Sequence, residues 1–216
     1  MTGRFITFEG GEGAGKTTQL RLLAEALEAR GRTVLMTREP GGSAGAEAIR
    51  ALLVTGDTGR WDGMTEALLH YAARRDHLRC TILPALQAGA WVLCDRFNDS
   101  TIAYQGFGHG AARADLDTLY RLVAGDVKPD LTLILDLPVD VGLARAGVRN
   151  GAPAPAAEDR YERMGEAFHE RLRHGFLSIA AAEPDRCAVI DASADPQAVH
   201  DAVLATTRGR LPEAWA

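Results

Sequence analysis

Lysine is almost absent from this chain of 216 residues: Lys16 and Lys128 are its only two, so arginine supplies the other 22 of 24 basic side chains. An excess of positive charge is missing as well. The net charge is −5 and the isoelectric point near 5.7, and no block of like charge stands out. That balance argues against a protein that holds nucleic acid or an anionic membrane surface. Long apolar runs are missing too. The N-terminal MTGRFITFEG passes directly from its arginine into a strand-like segment. No secretory signal and no membrane span are therefore expected, and the cytoplasm is the expected location. Cysteine is scarce: Cys80, Cys94 and Cys187 are odd in number, far apart and without metal-ligand spacing. A disulfide framework is excluded, and reduced, mostly buried thiols are expected.

What is present describes a globular chain. With 46% hydrophobic and 25% charged residues, residues 1–216 suffice for one domain with a substantial core. Short apolar runs alternate with longer segments of helical period. This is the pattern of an α/β fold whose parallel sheet carries helices on both faces. Five strands are predicted, at residues 4–9, 33–37, 91–95, 131–136 and 187–191. Leu20, Leu23 and Leu27 mark one helical face, and residues 65–86 are long enough for a major helix. In GVRNGAPAPAAED, residues 147–159, Gly, Pro and Ala replace any apolar period. The segment reads as a mobile surface loop, a lid at about 147–160, able to reach roughly 40 Å if extended at ~3.3 Å per residue.

The stretch FEGGEGAGKTTQL carries the chemistry. Gly10, Gly11, Glu12, Gly13, Ala14, Gly15, Lys16 and Thr17 fit G-x-x-x-x-G-K-[ST]. They lie after an apolar strand and at the start of an amphipathic helix, as the phosphate-cradling mechanism requires. In such a loop, backbone N–H groups point at phosphate oxygens and the helix N-terminus adds partial positive charge. Lys16 reaches the β- and γ-phosphates, and Thr17 ligates Mg²⁺, with Thr18 completing the ATP-binding run. Where arginine is the default cation, a lysine in the cradle indicates that a compact charge is needed there. Guanine reading through N-K-x-D is excluded, since neither Asn98 nor Asn150 is followed by lysine. Many arginines outside the cradle favour a kinase that moves the γ-phosphoryl group to a small, phosphate-bearing acceptor.

Three further motifs narrow the class: TREPGG (residues 37–42), YAARRDH (residues 71–77) and VLCDRFNDSTIAYQG (residues 92–106). With the phosphate loop, and in this order and spacing from about Gly3 to Thr206, the chain closely resembles bacterial thymidylate kinases. The resemblance implies transfer of the ATP γ-phosphoryl to dTMP with Mg²⁺, in a homodimer. It also implies roles for individual residues. Asp95 organises the metal with Thr17, and Arg96 binds phosphoryl oxygens between donor and acceptor. Arg38 and Arg50 hold the acceptor 5′-phosphate region. Arg74 bonds the thymine O4 edge beside Thr101, Gln105 positions the nucleotide, and Tyr104 lies under the deoxyribose. Glu39, Pro40 and Ser100 belong to the same dTMP-binding set. Glu12, a carboxylate inside an anion cradle, is expected to turn toward the acceptor and meet the sugar 3′-hydroxyl.

Two positions depart from the family pattern. Some members carry arginine beside the acidic loop residue, where this chain has Gly13. The transition-state cation is then expected from the lid, whose flanks supply Arg145, Arg149, Arg160 and Arg163; Arg149 and Arg160 are the catalytic candidates alongside Lys16 and Arg96. In LLHYAAR, His70 stands where the family usually has the phenylalanine that stacks on thymine. Imidazole offers less apolar area and is expected to titrate across the assay range. The other five histidines read as structural. Two alternatives stay open from the sequence: a kinase for another nucleoside monophosphate or small acceptor, and a regulatory module that binds ATP without turning it over.

Overall fold

Alternation along the strands decides which face each side chain joins. In β1 (Arg4–Glu9) Phe5 packs on one side while Ile6 and Phe8 pack on the other, as the two-residue period of a strand requires. The computed structural model describes residues 3–150 and 160–215, except for the side chains of 148–150. The remaining strands are β2 (Val34–Arg38), β3 (Trp91–Asp95), β4 (Leu131–Asp136) and β5 (Cys187–Asp191). All pair in parallel, in the order β2-β3-β1-β4-β5. β1, β3 and β4 lie inside the sheet and are buried almost throughout, whereas β2 at one edge leaves Met36 exposed.

The helices, in chain order, are α1 (Lys16–Glu28), α2 (Ala44–Val54), α3 (Gly63–His77), α4 (Leu83–Gln87), α5 (Asn98–Thr101), α6 (Arg113–Ala124), α7 (Val139–Asn150), α8 (Glu166–Ala182) and α9 (Pro196–Arg210). One face of the sheet is covered by α1 and α9. Leu20, Leu23 and Leu27 of α1 and Val199 and Val203 of α9 pack there on Ile6, Phe8, Leu133 and Leu135. On the other face, Tyr71 of α3 and Leu116 and Tyr120 of α6 pack on Phe5, Val92 and Cys94. Beside them, Phe168, Leu172 and Phe176 of α8 pack on Ile134 and Tyr104. No helix among the described residues is long and apolar enough to cross a membrane.

The five-stranded parallel sheet with helices on both faces is the architecture read from the sequence. Two boundaries differ. The second strand runs from Val34 to Arg38, one residue later than expected, because Arg38 stays in register with Asp95. The long helix starts at Gly63, where the Asp62 carboxylate accepts from Met64 N and Thr65 N at 2.9 Å. It then passes through a π-helical turn at Leu78–Ile82 into α4; Pro84 has no N–H to give a regular ladder, and a widened turn absorbs that loss. Cys94 and Cys187 are buried and Cys80 is exposed, all as free thiols.

A parallel sheet has all its carboxyl ends at one edge, and ligands bind there in open α/β folds. Glu9, Arg38, Asp95, Asp136 and Asp191 are the last residues of their strands, so the loops that follow converge.

Candidate active site

The loop after β1 has the backbone of a phosphate cradle. Gly13 and Gly15 adopt φ of 68° and 86°, in the left-handed region that glycine enters without penalty. Gly13 is constrained twice, since a Cβ there would lie 2.1 Å from the Gly142 carbonyl at the start of α7. Any larger residue needs a different approach of α7. Lys16 is buried and folds back, donating to the Gly11 and Gly10 carbonyls at 2.7 and 3.2 Å. Burial and then Arg96 push its ammonium down to about 8, against the pull of Glu12, Asp95 and Glu9. The Thr17 hydroxyl donates to Asp95 Oδ2 at 2.7 Å, which brings two hard oxygen donors together.

Glu12 stands between the loop and the Arg96–Tyr104 pair. Its Oε1 accepts from Arg96 at 2.8 Å and from the Tyr104 hydroxyl at 2.6 Å. Burial opposes its charge, yet Arg96, Lys16 and Tyr104 outweigh burial and hold the carboxyl at about 2. Arg96 also donates to the Gly10 carbonyl and the Ser100 hydroxyl at 3.1 Å, and its guanidinium lies 5.0 Å from the Tyr104 ring centroid. Its φ is 71°, and it is the one non-glycine residue with positive φ among those described. A side chain in that region is strained, and the strain aims Arg96 at the loop. Glu9, fully buried below, accepts from Phe97 N at 2.7 Å and Ser100 Oγ at 2.6 Å.

Beyond Arg96 lies a buried polar cluster around Arg74. Arg74 donates to Glu39 at 2.8 Å, Asn98 at 3.2 Å and Thr101 at 3.0 Å. It lies 5.0 Å from both the Tyr71 and Phe97 ring centroids. Glu39 is held in turn by His77 Nδ1 at 3.1 Å, and His77 Nε2 meets Thr37 at 2.7 Å. His77 is therefore structural, as read from the sequence. Arg38 pairs with Glu47 at 3.2 Å and Arg50 donates to the Pro40 carbonyl at 2.8 Å. Both line a cleft of about 940 Å³ that runs from Glu12 and Lys16 to Asp95 and Arg96. Gln105 is fully buried and donates to Glu66 at 3.0 Å.

Two expectations need correction. Arg160 is not a free lid cation: it is fully buried, donates to the carbonyls of Leu53, Asp57 and Thr58, and pairs with Glu66. With those bonds made, little of its donor capacity is left for a phosphoryl group. His70 does not titrate across the assay range. Burial, then Arg74, Arg96, Arg160 and Arg50, push its imidazole down to about 3, so the ring is neutral above pH 5. Its Nε2 lies 3.1 Å from the Tyr161 hydroxyl, which itself donates to Glu66 at 3.2 Å. The lid expected at about 147–160 begins later, because residues 147–150 continue α7; the Arg149 side chain and residues 151–159 lie outside the described residues, while Arg163 donates to the Gly56 carbonyl.

Sequence reading missed Tyr161 and Glu66 here, counted Arg145 among the lid-flank cations and set His169 aside as structural. Tyr161 meets Tyr104 edge to face at 5.2 Å between centroids, although its motif DRYE was visible. Glu66 shares the buried face of α3 with Ala73, Arg74 and His77, and a charge on a buried helical face is the signal that could have found it. Arg145 donates to the carbonyls of Ala192 and Ser193. With them, Gly13, Gly15 and Thr18 it lines a second cavity of about 450 Å³ beyond the end of β5. His169 lines a small cavity behind the loop.

Known proteins resemble this arrangement closely. The family model described as thymidylate kinase matches residues 8–203. The chain belongs to the thymidylate kinase family. A thymidylate kinase of Caulobacter vibrioides is 59% identical over 97% of this chain and 98% of that protein. One from Rhodopseudomonas palustris is 56% identical, covering 99% and 92%. The crystal structure of thymidylate kinase from Ehrlichia chaffeensis superposes with a TM-score of 0.76 at 40% identity, covering 96% of this chain and 99% of that one.

Proposed function

We propose that this chain transfers the γ-phosphoryl group of ATP to dTMP, giving ADP and dTDP. The observation that carries this reading is the bridge made by Arg96, which joins the phosphate loop at the Gly10 carbonyl to Glu12 and to the Tyr104 ring. A cation placed there neutralises charge on donor and acceptor together. An acceptor phosphate oxygen attacks the γ-phosphorus in line and ADP leaves, so no nucleophilic side chain is needed. Lys16 leaves its carbonyls for the β- and γ-phosphates. Arg38 and Arg50 take the dTMP phosphate, Arg74 beside Thr101 takes the thymine edge, and His70 stacks on the base. Tyr104 closes against the sugar, and Glu12 accepts from its 3′-hydroxyl. Arg145 and residues 192–196 form the adenine pocket.

Thr17 and Asp95 fit Mg²⁺, which takes one or two protein oxygens and completes its shell with phosphates and water. Bound there, the ion would neutralise charge on the transferring group. Arg149 is the lid cation of this proposal. The chain pairs as a homodimer through the face of α3 and α6, adjacent helices on which Leu68 and Leu122 are 51% and 80% exposed.

A coupled ADP-release assay tests the activity, with dTMP, dUMP, UMP or CMP as acceptor and Lys16→Ala as control. ADP should appear with dTMP, weakly with the others, and not with Lys16→Ala. Release without any acceptor, or equal release with all four, would overturn the assignment.

A further inference from the structure

Behind the phosphate loop lies a cavity of about 20 Å³ whose walls include Gly11 and Glu12 of the loop, Asp136 at the end of β4, and His169 of α8. His169 is buried, and its Nε2 has no hydrogen-bond partner among the described residues. Backbone carbonyls of Glu162, Met164 and Tyr161 favour a proton on the ring, and a proton on its Nδ1 side leaves Nε2 with a lone pair. Across the cavity, Glu12 is a carboxylate with acceptor capacity beyond the Oε1 atom that Arg96 and Tyr104 use. Each of the two groups shifts the ionisation of the other.

Two acceptors facing one another cannot bond directly. A water molecule, with two donors, joins them, and the cavity has room for one. We propose that His169 is a positioning residue for Glu12: one water donates to His169 Nε2 and to the Glu12 carboxylate, and so keeps that carboxylate turned to the acceptor sugar. The same imidazole is influenced by the backbone of the segment at Tyr161–Met164 that precedes α8. One side chain thereby links the lid flank to the phosphate loop.

The inference rests on the reading of Glu12 as the partner of the 3′-hydroxyl, and the test separates the two. Steady-state kinetics are measured with dTMP and with 3′-deoxythymidylate for the wild type, Glu12→Gln, His169→Leu, His169→Asn and His169→Gln, with thermal unfolding recorded for each. His169→Leu should raise the KM for dTMP about tenfold, the scale of one lost water-mediated bond to a charged group. The KM for 3′-deoxythymidylate and that for ATP should not change. His169→Asn retains a polar atom near Nδ1 but none at Nε2, so it should behave as His169→Leu even if the leucine variant folds poorly. His169→Gln, whose Oε1 reaches the Nε2 position, should restore the wild-type KM. If Glu12→Gln discriminates between the two acceptors while the leucine and asparagine variants affect both equally or neither, the role of His169 is overturned. If Glu12→Gln itself affects both acceptors equally, the underlying reading of Glu12 falls and the proposal falls with it.

Discussion

Around the phosphate loop, burial and charge pull each ionisable side chain in opposite directions, and the neighbours decide the outcome. At Glu12 the cations win. At Glu9 they do not: burial, then the Asp99 charge, push its carboxyl up to about 7 despite Ser100, Arg96 and Phe97 N. A carboxyl raised in the folded state stabilises the protein fully below its ordinary value of 4.5 and loses that contribution as pH rises through about 7. Glu9→Gln mimics the neutral form, so its stability relative to wild type should improve between pH 5 and pH 8 in urea unfolding; a flat difference would place the Glu9 pKa near normal. His70 allows a second prediction. Because its ring is neutral above pH 5, His70→Phe should tighten dTMP by about 0.5–1.5 kcal/mol, the worth of an aromatic contact beyond area, and equally at pH 5.5 and 8. Calorimetry on both proteins checks it, and unchanged affinity would show that position 70 does not face the base. His70 was legible as a departure from a motif, but its neutrality was not. That depends on four arginines gathered from α2, α3, the end of β3 and the segment before α8.

Elements are joined here by single residues, and those joints differ in what they support. Arg160 ties the end of α2 to Glu66 of α3 through buried bonds. Removing one partner of a buried pair strands the other charge, at a cost of about 3–5 kcal/mol. Arg160→Ala should therefore lower the thermal midpoint strongly. Arg149→Ala should leave unfolding unchanged and cut kcat by roughly two decades, as loss of a transition-state charge does. The reverse pattern would make Arg160 the cation and Arg149 a cover. A second joint lies between the phosphate loop and α7. A Cβ on Gly142 would stand 2.5 Å from the Glu12 carbonyl, so Gly142→Ala should cost about 1–3 kcal/mol as the backbones separate and raise the KM for ATP. Denaturant unfolding with ATP kinetics checks both parts. Motif spacing located Gly13, but its glycine partner on α7 could not be found that way, because the approach is made between elements distant in sequence.

At the scale of the whole molecule, one sheet edge gathers segments from the entire chain, and the proposed dimer uses the exposed face of α3 and α6. Leu122→Glu, a charge placed in an apolar interface, should shift sedimentation from dimer toward monomer at micromolar concentration. A wild type that sediments as a monomer at every concentration would remove the dimer.

The sequence by itself determined the strands and the phosphate loop, since apolar period, glycine placement and motif spacing are local and directly readable. β1, β3, β4 and β5 fall where the apolar runs lie, and the loop residues Gly10 to Thr17 need no partner to be recognised. Tertiary structure decided how charge is shared. It buried Arg160 with Glu66, turned Glu12 to Arg96 and Tyr104, and left His169 Nε2 unpartnered behind the loop. Such choices depend on distances between side chains far apart in the chain and on their exclusion from water; both arise only when the helices close on the sheet.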